Sequence, residues 1–296
     1  MMNTSYSKLL RNIITLQRRE NLIPPNSSIL IGFSGGIDSS CLAVAMLKLR
    51  EFFKLKRIAL LHVNHMIRGE ESYRDEEFAK SFAQKLSLEI FIKRVDVPKI
   101  AKEKGENIEA CAREERYKAF EEVRREENFD FVATAHHLGD LAETILLWLT
   151  RGTGLEGLLG FEPKEGYIVR PLYLAKKEDI EDFAKREGIE WVEDRTNYDL
   201  SYARNRIRHR VIPELKKINR NLEETLLRMR EILREEHRLL CQLTMDAIER
   251  VKKEGRRAFL ELDPALQRRV VVELFGIKNF KEVKKVINRI KKGDKL

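Results

Sequence analysis

Ser28-Ile29-Leu30-Ile31-Gly32-Phe33-Ser34-Gly35-Gly36-Ile37-Asp38-Ser39-Ser40-Cys41-Leu42-Ala43-Val44-Ala45-Met46-Leu47 reads as a strand, a glycine-rich turn and a helix. The apolar run at 28–33 has strand length, and the small and apolar residues from Cys41 to Leu47 suit a helix. Such a turn directs backbone N–H groups and the positive end of the helix dipole at one point, where phosphate is the natural guest. Gly35 and Gly36 admit close backbone approach and unusual dihedrals, and Ser34 and Ser39 add hydroxyl donors. Asp38 is the odd member, because a carboxylate beside phosphates is repulsive unless it holds Mg²⁺. The loop also lacks the lysine of a G-x-x-x-x-G-K-[ST] arrangement, which would reach the β- and γ-phosphates. Transfer of a terminal phosphoryl group is therefore not expected.

Outward from this stretch, apolar runs at 57–63, 89–95 and 130–135, and a weaker one at 167–170, read as further strands with helical stretches between them. Alternating strands and helices predict an α/β fold, a parallel sheet with helices on both faces. Ligands of such sheets bind beyond the carboxyl ends of the strands. The loop after residue 33, His62-Val63-Asn64-His65 and His136-His137 are then expected on one edge. Beyond Pro213 the pattern changes. Apolar residues spaced mainly three or four apart over 219–254 predict a long amphipathic helix. Asp263-Pro264 opens another helix, Gly276 ends it, and 279–292 reads as a basic helix. The expected organisation is 1–216 as a nucleotide-binding domain, 217–254 as a linker helix and 255–296 as a small basic helical domain.

Charge divides along the chain. Residues 1–200 hold 31 Lys and Arg against 34 Asp and Glu, whereas residues 201–296 hold 26 against 14. The last third thus carries about +12 and the rest about −3, as expected of either a polyanion-binding appendage or a charge-rich helical surface. No stretch approaches the roughly 18–20 apolar residues of a membrane span. Met1 to Tyr6 lack the apolar run of a secretory signal, so the cytoplasm is the expected compartment. Cys41, Cys111 and Cys241 are far apart and are expected as buried fillers without a metal knuckle. His62, His65, His136 and His137 do not form a tetrahedral zinc set, being neighbours on a strand or turn.

The Ser34–Ser39 loop resembles the signature of the ATP-pyrophosphatase-loop (PP-loop) enzymes, which hold pyrophosphate there and break the α–β bond of ATP. Within that superfamily, five segments are similar to the tRNA(Ile)-lysidine synthetase family. They are His62 to Arg68, Ala112 to Tyr117, Ala135-His136-His137 through Asp140 to Thr144, Arg170-Pro171-Leu172, and Glu193 to Asp199 running on to Arg208. The resemblance implies an adenine nucleotide alpha hydrolase-like fold and two steps. The C2 oxygen of the wobble cytidine in isoleucine tRNA with a CAU anticodon is adenylated, and the ε-amino group of L-lysine displaces AMP. The implied cofactors are ATP and Mg²⁺. A homodimer is one possible assembly. Where the family usually has two aspartates and then glutamine, this chain has Gly139, Asp140 and Leu141, so the missing groups must be absent or served elsewhere. Widely separated cysteines disfavour the other tRNA branch, the thiolases, although an external sulfur donor would leave that chemistry open. A non-catalytic tRNA-binding protein is the alternative outside enzymes.

On this reading Ser34, Gly35, Gly36, Ile37, Asp38, Ser39, His62, Asn64 and His136 are ATP-binding candidates, with Asp38 also the Mg²⁺ candidate. Asp38, Arg113, Asp140 and Glu143 are the catalytic candidates. Asp140 and Glu143 share a helix face, where they could hold Mg²⁺ or the ammonium of lysine, or form a solvated acidic face. Arg113 and Arg116 likewise share a face, and either clamp the α-phosphate or pair with acids such as Glu109. Arg151, in a basic glycine-rich connection, and Arg204 and Arg208, on one face of a helix with an apolar stripe of Ile207, Val211 and Leu215, are candidates for tRNA phosphate contacts.

Overall fold

The computed structural model describes residues 6–193, 199–277 and 279–293. Helix α1 (Lys8–Glu20) is capped by Ser7, whose Oγ accepts from the Leu10 N–H at 3.4 Å, and it buries Leu9, Leu10, Ile13, Ile14 and Leu16. Then follow β1 (Ser28–Gly32), α2 (Ile37–Lys48), a short α3 (Arg50–Phe53), β2 (Arg57–Asn64), α4 (Glu70–Lys85), β3 (Glu89–Arg94), α5 (Val97–Lys104), α6 (Ile108–Glu126) and β4 (Phe131–Ala133). Next come α7 (Leu138–Thr150), α8 (Leu155–Leu158), β5 (Lys164–Glu165), β6 (Ile168–Val169) and α9 (Lys177–Glu187). The described chain closes with α10 (Ala203–Arg206), a π-helical turn at Ile207–Val211, α11 (Ile212–Ile218), α12 (Leu222–Glu254), α13 (Arg256–Glu261), α14 (Pro264–Phe275) and α15 (Phe280–Lys292).

The six strands lie in the order β3-β2-β1-β4-β6-β5, and every neighbouring pair is parallel except β5 with β6. β1 is paired on both sides, and Ile29, Leu30 and Ile31 have no exposed surface, which explains their unbroken apolar run. Leu30 packs in a core with Ala59, Leu61, Phe120, Val123, Phe129, Val132 and Ile168. Ile29 and Ile31 point to the opposite face by the alternation of a strand. The chain runs from β1 through β2 to β3 on one side and returns to place β4 on the other. The strand order therefore reverses between β1 and β4, where parallel sheets open a crevice.

Two compact units are present, Met1–Gly152 with Gly160–Leu227, and Thr153–Leu159 with Arg228–Leu296. The second has its own core of Ala247, Ile248, Val251, Ala258, Phe259, Val270, Val271, Val283 and Ile290. Asp263 caps α14 by accepting from Ala265 N–H at 2.8 Å, and Gly276 ends it in a left-handed conformation. The Arg256 guanidinium donates to the Ile290 and Lys291 carbonyls at 2.7 Å each, satisfying acceptors at the end of α15. Among the described residues no helix is long and apolar enough to cross a membrane.

The structure corrects two readings. Cys241 is exposed on α12, with Sγ 3.3 Å from His237 Nε2, whereas Cys41 and Cys111 are buried as expected. The supposed stripe of Ile207, Val211 and Leu215 is broken by the π-helical turn, in which Ile212 N–H donates to the Ile207 carbonyl five residues back. The wider turn rotates Val211 outward, to 41% exposure, and turns Ile212 inward, where it packs with Ile207, Ala142, Leu146, Leu147, Leu222 and Leu226. Helix α1 and strand β5 have no counterpart in the sequence reading.

Candidate active site

A cleft of about 1030 Å³ opens at the carboxyl ends of β1, β2 and β4, and all its lining residues belong to the first unit. Its floor is the Ser34–Ser39 turn. Gly35 has φ +84°, and a Cβ there would also meet the Phe78 ring at 3.3 Å, so glycine is required. Gly36 is extended and caps α2 without a side chain. Ser39 Oγ donates to the Gly36 carbonyl at 3.0 Å and accepts from Ser34 N–H at 3.2 Å, while the two serine hydroxyls lie 3.2 Å apart. The turn is therefore shaped by its own side chains, with hydroxyls and amides clustered at the start of α2.

From β2, His62 holds the strand ends together, its Nδ1 3.0 Å from the Phe33 carbonyl. Asn64 is 2% exposed. Its amide donates to the Ser72 carbonyl and Glu76 Oε2, both at 3.1 Å, and its Oδ1 accepts from Met66 N–H at 3.0 Å. Its hydrogen bonds thus organise the link from β2 to α4. His65 Nε2 accepts from Arg116 Nε at 3.4 Å, which leaves the ring proton on Nδ1, a buried atom without a hydrogen-bond partner. Burial first, and then the Arg116 charge, push His65 down to about 4, so the ring is neutral. Arg113, from the same helix as Arg116, lines the cleft with its guanidinium carbon 5.2 Å from the Tyr117 ring centre.

From β4, His136 Nδ1 is 2.9 Å from Thr134 Oγ1, and burial pushes its ring down to about 4. The next residue, His137, starts α7. Its backbone N–H donates to Asp140 Oδ2 at 3.0 Å, and its Nδ1 accepts from Gly139 N–H at 3.0 Å. These two bonds form a reciprocal cap with histidine in the usual serine position. They also place the His137 proton on Nε2, which lies 3.6 Å from Asp140 Oδ2 and 4.0 Å from Asp38 Oδ2. A Cβ on Gly139 would stand 2.8 Å from His137 Cε1, so glycine is what allows this ring position.

Asp140 and Glu143, one turn apart on α7, meet Arg204 and Arg208, one turn apart across α10 and the π-helical turn. Glu143 accepts from Arg204 Nε at 2.8 Å and from Arg208 Nε at 2.5 Å, and Asp140 Oδ1 accepts from the two Nη2 groups at 3.1 and 3.3 Å. Burial alone would raise the Asp140 carboxyl, but its neighbour His137, the Arg204 charge and the hydrogen bond from the His137 backbone N–H outweigh it and hold it well below the carboxylate range. The four groups form a neutral cluster of two acids and two arginines at the cleft wall.

The sequence candidates fall into three sets. Ser34, Gly36, Ile37, Asp38, Ser39, His62, Asn64, Arg113, His136, Asp140, Arg204 and Arg208 all line the cleft. Gly35 shapes its floor and Glu143 supports its wall. Arg151 stands apart at the end of α7, exposed, with its guanidinium 5.7 Å from the Trp148 ring centre. Arg170 is buried and binds the Glu162 carbonyl and Glu165 carboxylate, fixing the β5–β6 hairpin. Asp194 to Tyr198 of the fifth motif lie outside the described residues. Tyr202, in the fifth segment, also lines the cleft, while sequence reading missed Lys177 and Trp191, which line it too, and the capping position of His137.

Mg²⁺ is usually held by one or two carboxylates together with phosphate oxygens and water. Asp38 fits that role, because it lines the cleft within the phosphate turn and only its Oδ1 is taken, by Lys177 Nζ at 2.6 Å, while His137 Nε2 stands 4.0 Å from Oδ2. Asp140 and Glu143 fit it poorly, each being matched by two arginines. Among the described residues no three His, Cys, Asp or Glu groups converge as a metal site.

Comparison with known proteins places this geometry. The family described as PP-loop domain matches residues 3–215. A tRNA(Ile)-lysidine synthase from Persephonella marina is 45% identical over 210 residues, 71% of this chain and 46% of its own length. One from Thermosipho africanus is 44% identical over 223 residues, 75% and 52% of the two chains. A third, from Thermotoga sp. (strain RQ2), is 33% identical over 281 residues, 91% and 66% of the two. The chain thus spans about half the length of the first two. Among solved structures, a U34-tRNA thiolase from Methanococcus maripaludis superposes with a TM-score of 0.65 at 19% identity, over 77% of this chain and 79% of that one, which is a likeness of fold.

Proposed function

The chain belongs to the PP-loop domain family, and from that premise we propose that it uses ATP to convert the wobble cytidine of isoleucine tRNA with a CAU anticodon into lysidine. The observation that carries the reading is that the phosphate turn and Asp140, Arg204 and Arg208 of the charged cluster, backed by Glu143, line one cleft. A site holding polyphosphate beside paired charges of both signs suits an amino acid as the second substrate. In the first step the cytosine C2 oxygen attacks the α-phosphorus, and the bond to the bridging oxygen breaks with its electron pair leaving on pyrophosphate. The hydroxyls of Ser34 and Ser39 and the amides at the start of α2 hold that leaving group, while Arg113 and Arg116 face the α-phosphate as charge moves. Mg²⁺ at Asp38 would neutralise phosphate oxygens.

In the second step the neutral ε-amine of L-lysine attacks C2, and AMP departs with the former cytosine oxygen. The mixed cluster suits the zwitterionic end of lysine, with Asp140, at the cleft surface, meeting its α-ammonium and an arginine its α-carboxylate. The names and similarity of the relatives support lysine as that substrate. Thiolation is the less suitable chemistry, since Cys41 beneath the turn is pushed up to about 12 by burial and then by Asp38. The excess of basic residues after 200 supports an RNA-binding role for that part of the chain, and tRNA as substrate agrees with a cytoplasmic setting. Incubation with ATP, labelled lysine and unmodified tRNA, followed by nucleoside analysis, tests the proposal. Label in a modified cytidine is expected, and label confined to free lysine would sink it.

A further inference from the structure

Helix α9 begins with Lys176 and Lys177, two cations at the positive end of the helix dipole, where they are electrostatically unfavourable. Lys177 offsets this by reaching a carboxylate 139 residues earlier, with Nζ 2.6 Å from Asp38 Oδ1 inside the phosphate turn. The placement is held at two further points. Cys41 Sγ donates to the Ile180 carbonyl at 3.5 Å, and Val192 N–H, just past α9, donates to the Gly35 carbonyl at 2.9 Å. Glu181 and Lys185 follow Lys177 at spacing four and also line the cleft, so one face of α9 forms the wall beside the turn.

The turn has no lysine of its own, yet the fold brings one to it. We propose that Lys177 is the cation that receives the pyrophosphate of ATP, exchanging Asp38 for phosphate oxygens when the nucleotide binds. This rests on the ATP-dependent reading above. The ion pair is suited to exchange, since its side chains are 40% and 33% exposed and such pairs are weakly held. A polyphosphate offers more charge than one carboxylate, and the ammonium has three donors to share. During adenylation the electron pair of the breaking phosphorus–oxygen bond moves onto pyrophosphate. Lys177 donates hydrogen bonds to the oxygens that gain charge and transfers no proton. Exchange also releases Asp38 Oδ1.

The test is calorimetric titration of the full chain with inorganic pyrophosphate, and separately with AMP, in the presence of EDTA. Lys177→Ala should weaken pyrophosphate binding at least tenfold and leave AMP binding within twofold, and Lys177→Arg should restore most of the loss. Asp38→Asn should tighten pyrophosphate binding, by freeing Lys177 and by removing a repulsive carboxylate, and the gain should be smaller when measured in the Lys177→Ala background. A purely structural ion pair would leave that gain the same in both backgrounds. If the unaltered chain binds pyrophosphate and folded Lys177→Ala binds it equally, the assignment of Lys177 is overturned alone. If the unaltered chain binds neither pyrophosphate nor AMP, the nucleotide reading falls with it.

Discussion

At the scale of single residues the cleft is governed by buried charge and by histidines kept neutral. Glu143 is 3% exposed and faces two guanidiniums, so removing its carboxylate leaves both arginines without their main partner. We expect Glu143→Ala to lower stability by up to about 3 kcal/mol in urea unfolding, the partial exposure of Arg204 and Arg208 limiting the loss. A change under about 0.5 kcal/mol, typical of surface substitutions, would contradict the cluster. His136 is pushed from 6.5 down to about 4 by burial, so across that window the unfolded chain binds a proton that the folded chain refuses. Its contribution to stability is complete above pH 6.5 and declines as pH falls toward 4. Replacing it by asparagine should flatten the stability curve in that window, by a slope approaching about 1.4 kcal/mol per pH unit. Equal slopes in the two proteins would show that the ring is not neutral in the fold.

Elements place these residues, and the π-helical turn is the clearest case. Because it turns Val211 outward and Ile212 inward, Val211→Lys should change stability by no more than about 0.5 kcal/mol, whereas Ile212→Ala should cost about 2–3 kcal/mol. The reverse ranking would restore the regular stripe read from the sequence. That misreading shows where sequence patterns stop. The strands from β1 to β4, the phosphate turn and α14 were legible because apolar runs, glycines and caps act locally. A π-helical turn differs from an α-helix by one hydrogen-bond step and leaves no local mark in Ile207-Arg208-His209-Arg210-Val211. Lys177 was invisible for another reason: its partner is distant in sequence, and only the packing of α9 on α2 brings them together. The Asp140 and Glu143 pair was legible from spacing. Its neutralisation by Arg204 and Arg208 was not, since sequence alone reads those arginines as partners of tRNA phosphates.

At the scale of the whole molecule, the proposed division of labour is between the first unit, which holds the phosphate turn, and the second, helical one, which lies wholly in the basic last third apart from Thr153–Leu159. Exposed Lys281, Lys284 and Lys285 lie on α15, whose apolar face closes the second core through Val283 and Ile290. Changing all three to alanine should leave ATP binding intact and flatten the salt dependence of tRNA binding. The log–log slope should fall by about 0.9 for each duplex phosphate no longer neutralised, or by about 0.7 on single strands. An unchanged slope would move RNA recognition elsewhere, first to Arg151. The central claim is that the cytosine C2 oxygen is the group that ATP activates, and one isotope experiment tests it most directly. With ¹⁸O at C2 of the wobble cytidine, ATP and lysine, mass spectrometry of the released AMP should find one ¹⁸O for each lysine incorporated. AMP free of ¹⁸O, with the isotope retained in the tRNA or lost to water, would contradict it.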